Sequence, residues 1–200
     1  MDTLEFVLKK YGIENWEDLP VVISHRGTFA SLFRELAFAK GAEIGVGDGE
    51  NAKFLLDNIP NLKLFCIDPW LSYHGLDRSL SQSRQDGSYE ATKKTLSGYN
   101  CEIIREFSLE AAKVIADNSL DFVFIDGNHT FQYVTNDIAE WSRKVRKGGI
   151  VSGHDFHADP GGRHPCHVQN VVRAWTEVYH IRPWFHIKKM EKCNMWFWVK

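Results

Sequence analysis

Four side chains in the second half of the chain have the chemistry to activate a hydroxyl group: Asp126, His129, His154 and Asp155. Asp126 closes the apolar run Leu120 to Ile125, and His154-Asp155 closes the run from Ile150 to Gly153. Carboxylates at two neighbouring strand ends can hold a hard divalent cation, which takes oxygen ligands and polarises a hydroxyl beside it. An alcohol or phenol is a poor nucleophile until it loses its proton, so such a cation, or a base within hydrogen-bond reach, lowers the barrier to attack by its oxygen. Adjacent residues of an extended strand point to opposite faces, so His154 and Asp155 converge on one ion only if the chain bends at Gly153. His129 reads either as a base set by its spacing from Asp126 or as a helix-start residue bonded to backbone.

These residues need a scaffold, and the stretch Gly41 to Glu50, GAEIGVGDGE, indicates which. An apolar run, Ala42 to Val46, leads through Gly45, Gly47 and Gly49 into a helical pattern from Glu50 onward. Glycines stand at such a strand-to-helix turn where backbone must approach a ligand or take positive φ. The dinucleotide fingerprint fails, because its third small residue would fall at Glu50. Asp48 and Glu50 also oppose a pyrophosphate at the helix start, and a ligand without phosphate and with a cationic end fits better. A second strand, Leu62 to Ile67, ends on Asp68, where doubly wound nucleotide-binding folds set a carboxylate against ribose hydroxyls. A tight turn at the glycines and a strand-end cap at Asp68 are the plain alternatives.

With both signals in place the sequence resembles the class I S-adenosylmethionine-dependent methyltransferases. Glu43, Gly45, Gly47 and Gly49 are similar to their cofactor loop, and Asp68 to their ribose-binding acid. The resemblance also implies that the turn after the third strand approaches adenine, which makes Phe107 and Ser108 candidates there; Ser108 is also a plausible N-cap. The run Asp126-Gly-Asn-His129, followed by Lys147-Gly-Gly and Gly153-His154-Asp155, resembles a subfamily of small-molecule and sugar O-methyltransferases. The resemblance makes Asp126 and Asp155 metal ligands and His129 the general base. His154 stands where an acid is common in those relatives, and a nitrogen ligand there suits manganese, iron or zinc better than magnesium. In a metal-independent variant Asp126 would contact the methionine end of the cofactor, and His129 or His154 would be the base. A nicotinamide oxidoreductase and a non-catalytic ligand-binding domain are the competitors from other classes.

Around these sites the chain reads as one domain of 200 residues, with 44% hydrophobic and 25% charged residues. A net charge of −2 without a Lys/Arg block gives no reason to expect nucleic acid or a membrane surface as partner. A small-molecule acceptor is the expected partner, and the hydrophobic last strand could also support a homo-oligomer. No signal peptide or membrane span is legible, so a cytoplasmic setting is expected. Cys66, Cys101, Cys166 and Cys193 read as reduced thiols. His157, His164, Cys166 and His167 crowd one loop, with spacing that matches no standard zinc finger.

The expected architecture is α/β: a doubly wound, mostly parallel Rossmann-like sheet of about seven strands, helices on both faces, and an antiparallel last strand. Helices are expected over 2–11, 28–38, 88–96, 130–145 and 167–179, with strands at 101–105, 120–125, 150–153, 184–188 and 195–199. His25, Arg26 and Gly27 read as solvated loop residues or ligand contacts. Residues 69–87 have no clear period and read as a substrate-covering loop or a loose insertion. Residues 156–165 read as a Gly- and His-rich mobile lid.

Overall fold

Short β-branched and aromatic runs alternate with amphipathic helices, and the computed structural model assembles them into one eight-stranded sheet with helices on both faces. It describes residues 2–17, 19–24, 29–73, 81–159, 161, 165–188 and 194–200. The elements in order are α1 (Thr3–Lys10), β1 (Val21–Ser24), α2 (Phe29–Glu35), β2 (Lys40–Ile44), α3 (Glu50–Asn58), β3 (Lys63–Ile67), α4 (Gln82–Thr95) and β4 (Cys101–Ile104). There follow α5 (Ser108–Ala112), β5 (Leu120–Ile125), α6 (Phe131–Lys144), β6 (Val145–Gly153), α7 (Val168–Val178), β7 (Trp184–Lys188) and β8 (Met195–Val199).

The strand order is β1-β7-β8-β6-β5-β2-β3-β4. Only β8 is antiparallel, to β6 on one side and β7 on the other. From β2 the chain winds outward through β3 to β4, then returns to β5 and winds the other way. The crevice where that order reverses, between the carboxyl ends of β2 and β5, is where open α/β sheets bind ligands.

One face of the sheet is covered by α1, α2 and α3 through rings that include Phe29, Phe33, Phe122 and Phe197, with Phe33 stacked on Phe122 at 4.1 Å. The other is covered by α5, α6 and α7 through Val134, Ile138, Trp141, Val171 and Val172. Trp184, Trp196 and Trp198 are buried, and Trp175 packs at the edge of the same core.

Three sequence expectations change. The sheet gains β1, which pairs in parallel with β7; its alternation, Val21 in, Val22 out, Ile23 in, is too short to read as a period. Helix α4 starts at Gln82, not Ser88, with the Ser81 hydroxyl accepting from the Arg84 amide. Thr92 is its only buried residue, so it has no apolar stripe to detect. The hydrophobic last strand lies inside the sheet with both backbone edges paired, so it offers no edge to a second copy. His25, Arg26 and Gly27, residues 74–80 of the long loop, His164 and Cys193 lie outside the described residues. Cys66, Cys101 and Cys166 are free thiols.

Candidate active site

The register of the sheet brings the chemistry to one row. Ile67, Ile44, Ile125 and Gly153 lie side by side at the ends of β3, β2, β5 and β6. Each strand then runs one hydrogen bond further: Gly45 N donates to Ile67 O (2.8 Å), Asp126 N to Ile44 O (2.7 Å) and His154 N to Ile125 O (3.0 Å). Asp68, Gly45, Asp126 and His154 are therefore neighbours because four strands end together. Two glycines permit this. A Cβ on Gly45 would lie 2.2 Å from Asp126 O, and one on Gly153 2.5 Å from the Trp196 ring. Gly45 also has φ +86°, so its role is close approach of two chains as well as a turn.

A cavity of about 710 Å³ opens above this row. Gly45, Gly47, Asp68, Phe107, Ser108 and Asp126 line it; Glu43 and Gly49 do not. Asp68 Oδ2 accepts from the amides of Val46 (3.0 Å) and Gly47 (3.1 Å), and Oδ1 accepts from Trp70 N (2.7 Å). Burial raises the Asp68 carboxyl above its ordinary range against the pull of those three donors. The Gly47 carbonyl accepts from Trp70 Nε1 (2.9 Å) and Thr92 Oγ1 (2.6 Å), so the glycine loop is held from both sides. Gly49, in the left-handed region, starts α3. Glu43 is buried beneath the loop, where Oε1 accepts from Asn51 Nδ2 (2.9 Å) and Oε2 has no partner; burial pushes its carboxyl up to about 8.

Ser108 is not the N-cap of α5. That position is Phe107, and the Ser108 hydroxyl is bonded instead to Asp137 and Trp141 of α6. The cavity also takes Tyr73, from the 69–87 stretch expected to cover the substrate, and Tyr133 and Asp137, to which the sequence assigns no role of their own. The Tyr73 ring meets Phe107 edge-on at 5.3 Å and Tyr133 at 5.6 Å, and Asn128 Nδ2 lies 3.3 Å from its hydroxyl. The available signal was the i, i+4 pair Tyr133 and Asp137, which the apolar stripe Val134, Ile138 and Trp141 overshadowed.

Beside Asp126 the other candidates form a cluster of acids and imidazoles. His129 Nε2 is 3.5 Å from Asp126 Oδ1 and 3.3 Å from Asp155 Oδ2, with an aligned hydrogen bond to neither. His154 Nδ1 lies 3.2 Å from Asp155 Oδ1 and 3.8 Å from Asp126 Oδ1. His157 Nδ1 approaches Asp155 Oδ1 at 3.9 Å. The bend that lets His154 and Asp155 converge is at Asp155, with φ +48°, beyond Gly153. Burial raises Asp126 although both histidines pull it down, whereas the His154 bond holds Asp155 below the usual carboxylate range. Burial pulls His129 down, but the Asp126 contact and the charges of Asp126 and Asp155 outweigh it, and the imidazole ends above its ordinary value. The described part of the following loop is pinned: Asp159 and Cys166 exchange backbone bonds, and His167 N donates to His129 O at 2.8 Å.

The fold is that of methyltransferase domains. Residues 42–156 match the family described as a methyltransferase domain, and the chain belongs to that family. It is 31% identical over 118 residues to an uncharacterized protein of Acanthamoeba polyphaga mimivirus, a match covering 57% of this chain and 50% of the relative. The chain thus spans about half the length of that curated relative. Among solved structures it resembles the O-methyltransferase from Bacillus cereus in complex with SAH, with TM-score 0.62 and 16% identity over 99% of this chain and 90% of that one. It also resembles the O-methyltransferase TomG from Streptomyces achromogenes in complex with SAM, with TM-score 0.63 and 17% identity over 86% and 77%. At that identity the likeness is one of fold. No helix among the described residues is long and apolar enough to cross a membrane.

Proposed function

We propose that this protein moves a methyl group from S-adenosylmethionine to a hydroxyl of a small molecule or sugar, with a divalent cation beside the acceptor. The observation that carries the reading is the convergence of Asp126, His154 and Asp155, whose ligand atoms lie within 4.8 Å of one another; of the three, Asp126 lines the cavity and His154 and Asp155 lie behind it. The residues fit a cation. Ligand atoms about 2.1 Å from an ion lie about 3.0 Å apart when adjacent and about 4.2 Å when opposite, and the contacts between His154 and the two carboxylates are 3.2 and 3.8 Å. A buried imidazole nitrogen without a hydrogen bond, His129 Nε2, faces the same two acids. The imidazole in the set favours manganese, iron or zinc over magnesium.

Asp126, His154 and Asp155 would hold the ion, which when bound would lower the pKa of an adjacent hydroxyl. The loop of Gly45 and Gly47 and the carboxylate of Asp68 would hold the cofactor, with Phe107 and Ser108 on its adenine side, and Glu43 and Gly49 would shape that loop from below. S-adenosylmethionine supplies a sulfonium methyl at the crevice. His129 takes the acceptor proton at Nε2 as oxygen attacks in line, and the two carboxylates hold the imidazolium that results. No covalent enzyme intermediate is needed.

Calorimetric titration of ligand-free protein with S-adenosylhomocysteine, followed by an acceptor screen with and without chelator, tests the reading. Binding, with turnover that a chelator abolishes and manganese restores, is the expected result. Chelator-resistant turnover would reject the metal, and absence of binding by folded protein would reject the cofactor assignment.

A further inference from the structure

The buried carboxyl of Asp137 has no task in that mechanism. It is 4% exposed, yet it lines the cavity, one helical turn beyond Tyr133. Among the described residues the Ser108 hydroxyl is its one hydrogen-bond partner, through Oδ1.

The direction of that bond follows from the ionised state of Asp137. Trp141 Nε1 points at Ser108 Oγ from 2.8 Å, and an indole nitrogen can only donate. Ser108 Oγ therefore accepts from Trp141, and once Asp137 is ionised the Ser108 proton goes to Asp137 Oδ1, whereas a protonated Asp137 donates to the second lone pair of Oγ. The second oxygen, Oδ2, is left over. It lies beside Gly127, where a Cβ would come within 3.4 Å of it, so the bare glycine keeps that side open toward the cavity. Phe107 and Tyr73 line the same space, with their rings edge-on to each other.

We infer that Asp137 is a specificity residue, whose Oδ2 accepts a hydrogen bond from the exocyclic amine of the cofactor's adenine. The inference rests on the methyltransferase reading above. An acceptor fixed in this way by a donor-only indole selects an amino-purine over a purine that carries a carbonyl at the same position, because two acceptors would then face each other in a poorly solvated wall. Burial pushes the Asp137 carboxyl up to about 7, and above that the group is an acceptor only. Tyr73, from the segment after β3, Glu110 of α5 and Tyr133 of α6 are the other titratable groups on this wall, and the Tyr73 hydroxyl is itself raised, first by burial.

The test compares S-adenosylhomocysteine, S-inosylhomocysteine and the analogue with hydrogen at the purine 6-position, by calorimetry at about pH 9, where a carboxyl with this pKa is ionised. Wild-type protein should prefer the adenosyl ligand by about tenfold to a hundredfold over the inosyl one, the worth of one buried bond and its unpaired alternative. Asp137→Asn should erase or reverse that preference. Its carbonyl keeps the Ser108 bond, so its amide nitrogen faces the cavity as a donor to the inosyl carbonyl. A general loss of structure would weaken both ligands together and would not exchange their order. Equal wild-type affinity for the adenosyl and 6-hydrogen ligands overturns the inference without any variant, as does unchanged discrimination in a folded Asp137→Asn protein. Failure of folded wild-type protein to bind S-adenosylhomocysteine would instead remove the cofactor reading itself.

Discussion

The two halves of the carboxyl edge are built on opposite terms. At the ends of β2 and β3, Asp68 takes three backbone amides, the Gly47 carbonyl takes an indole and a hydroxyl, and the loop is held before any ligand arrives. At the ends of β5 and β6, two carboxylates and three imidazoles face one another at 3.2 to 3.9 Å, and His129 Nε2 has no aligned bond at all. Apart from Glu43 Oε2 beneath it, the first region is satisfied by the fold; the second is charged and holds an imidazole nitrogen without an aligned bond, which is how a site looks when its ligand completes it.

The largest expected effect breaks the second region. Asp126→Ala removes a proposed cation ligand and the acid beside His129, and turnover should fall by about 10³-fold or more, while S-adenosylhomocysteine affinity changes far less. Single-turnover rates beside calorimetry separate the two, and an equal loss in both would show that Asp126 serves the cofactor alone.

A second effect belongs to the floor of the first region. Glu43 has its folded pKa raised to about 8 from an ordinary value near 4.5, so the folded state holds a proton that the unfolded chain gives up earlier. The stabilising contribution is complete below the unfolded value and is lost as pH rises through the folded one, so ligand-free protein should weaken between about pH 5 and pH 8. The loss is on the order of 3–5 kcal/mol for a fully buried group. Urea unfolding across that window should show the decline in wild-type protein and a flatter profile in Glu43→Gln; parallel profiles would mean the buried carboxyl is already ionised.

The loop itself gives the third. A methyl on Gly45 collides with the Asp126 carbonyl at 2.2 Å and is strained at φ +86°, whereas one on Gly47, at φ +55°, meets nothing within 4 Å. Gly45→Ala should cost about 3 kcal/mol or more and Gly47→Ala about 1 kcal/mol. Equal melting shifts would remove the claim that Gly45 joins two strands.

How much of this was legible follows the same division. The glycine loop, Asp68, Asp126 and His154-Asp155 are each the terminus of a local apolar run, and the parallel register does the rest, so sequence placed them at one edge. Asp137 and Tyr73 take their places through contacts between segments: Asp137, whose one local sign is its i, i+4 spacing from Tyr133, meets Ser108 across the α5–α6 packing, and Tyr73, in the stretch expected to cover the site, reaches Phe107 from another loop. Helix α4 was missed over its first turns because an exposed polar helix has no period to show. Ser108 was misread as a cap because a serine before a helix is a good local signal, and the tertiary bond to Asp137 overrode it.

The smallest effect sets the two regions directly against each other with the same substitution. Asp68→Asn cannot satisfy its surroundings, because both carboxylate oxygens already accept from backbone N–H groups and either orientation of the amide turns a donor on a donor. It should lower the stability of metal-free, ligand-free protein by about 1–2 kcal/mol. Asp126→Asn should leave that stability unchanged or slightly raised, since burial already disfavours the Asp126 charge and Asp155 remains beside both imidazoles. Added manganese should then reverse the order, stabilising the Asp68→Asn protein and leaving Asp126→Asn where it was. If Asp126→Asn is the more damaging change without metal, the β5–β6 cluster is part of the structural frame, and the contrast between a finished region and a waiting one fails.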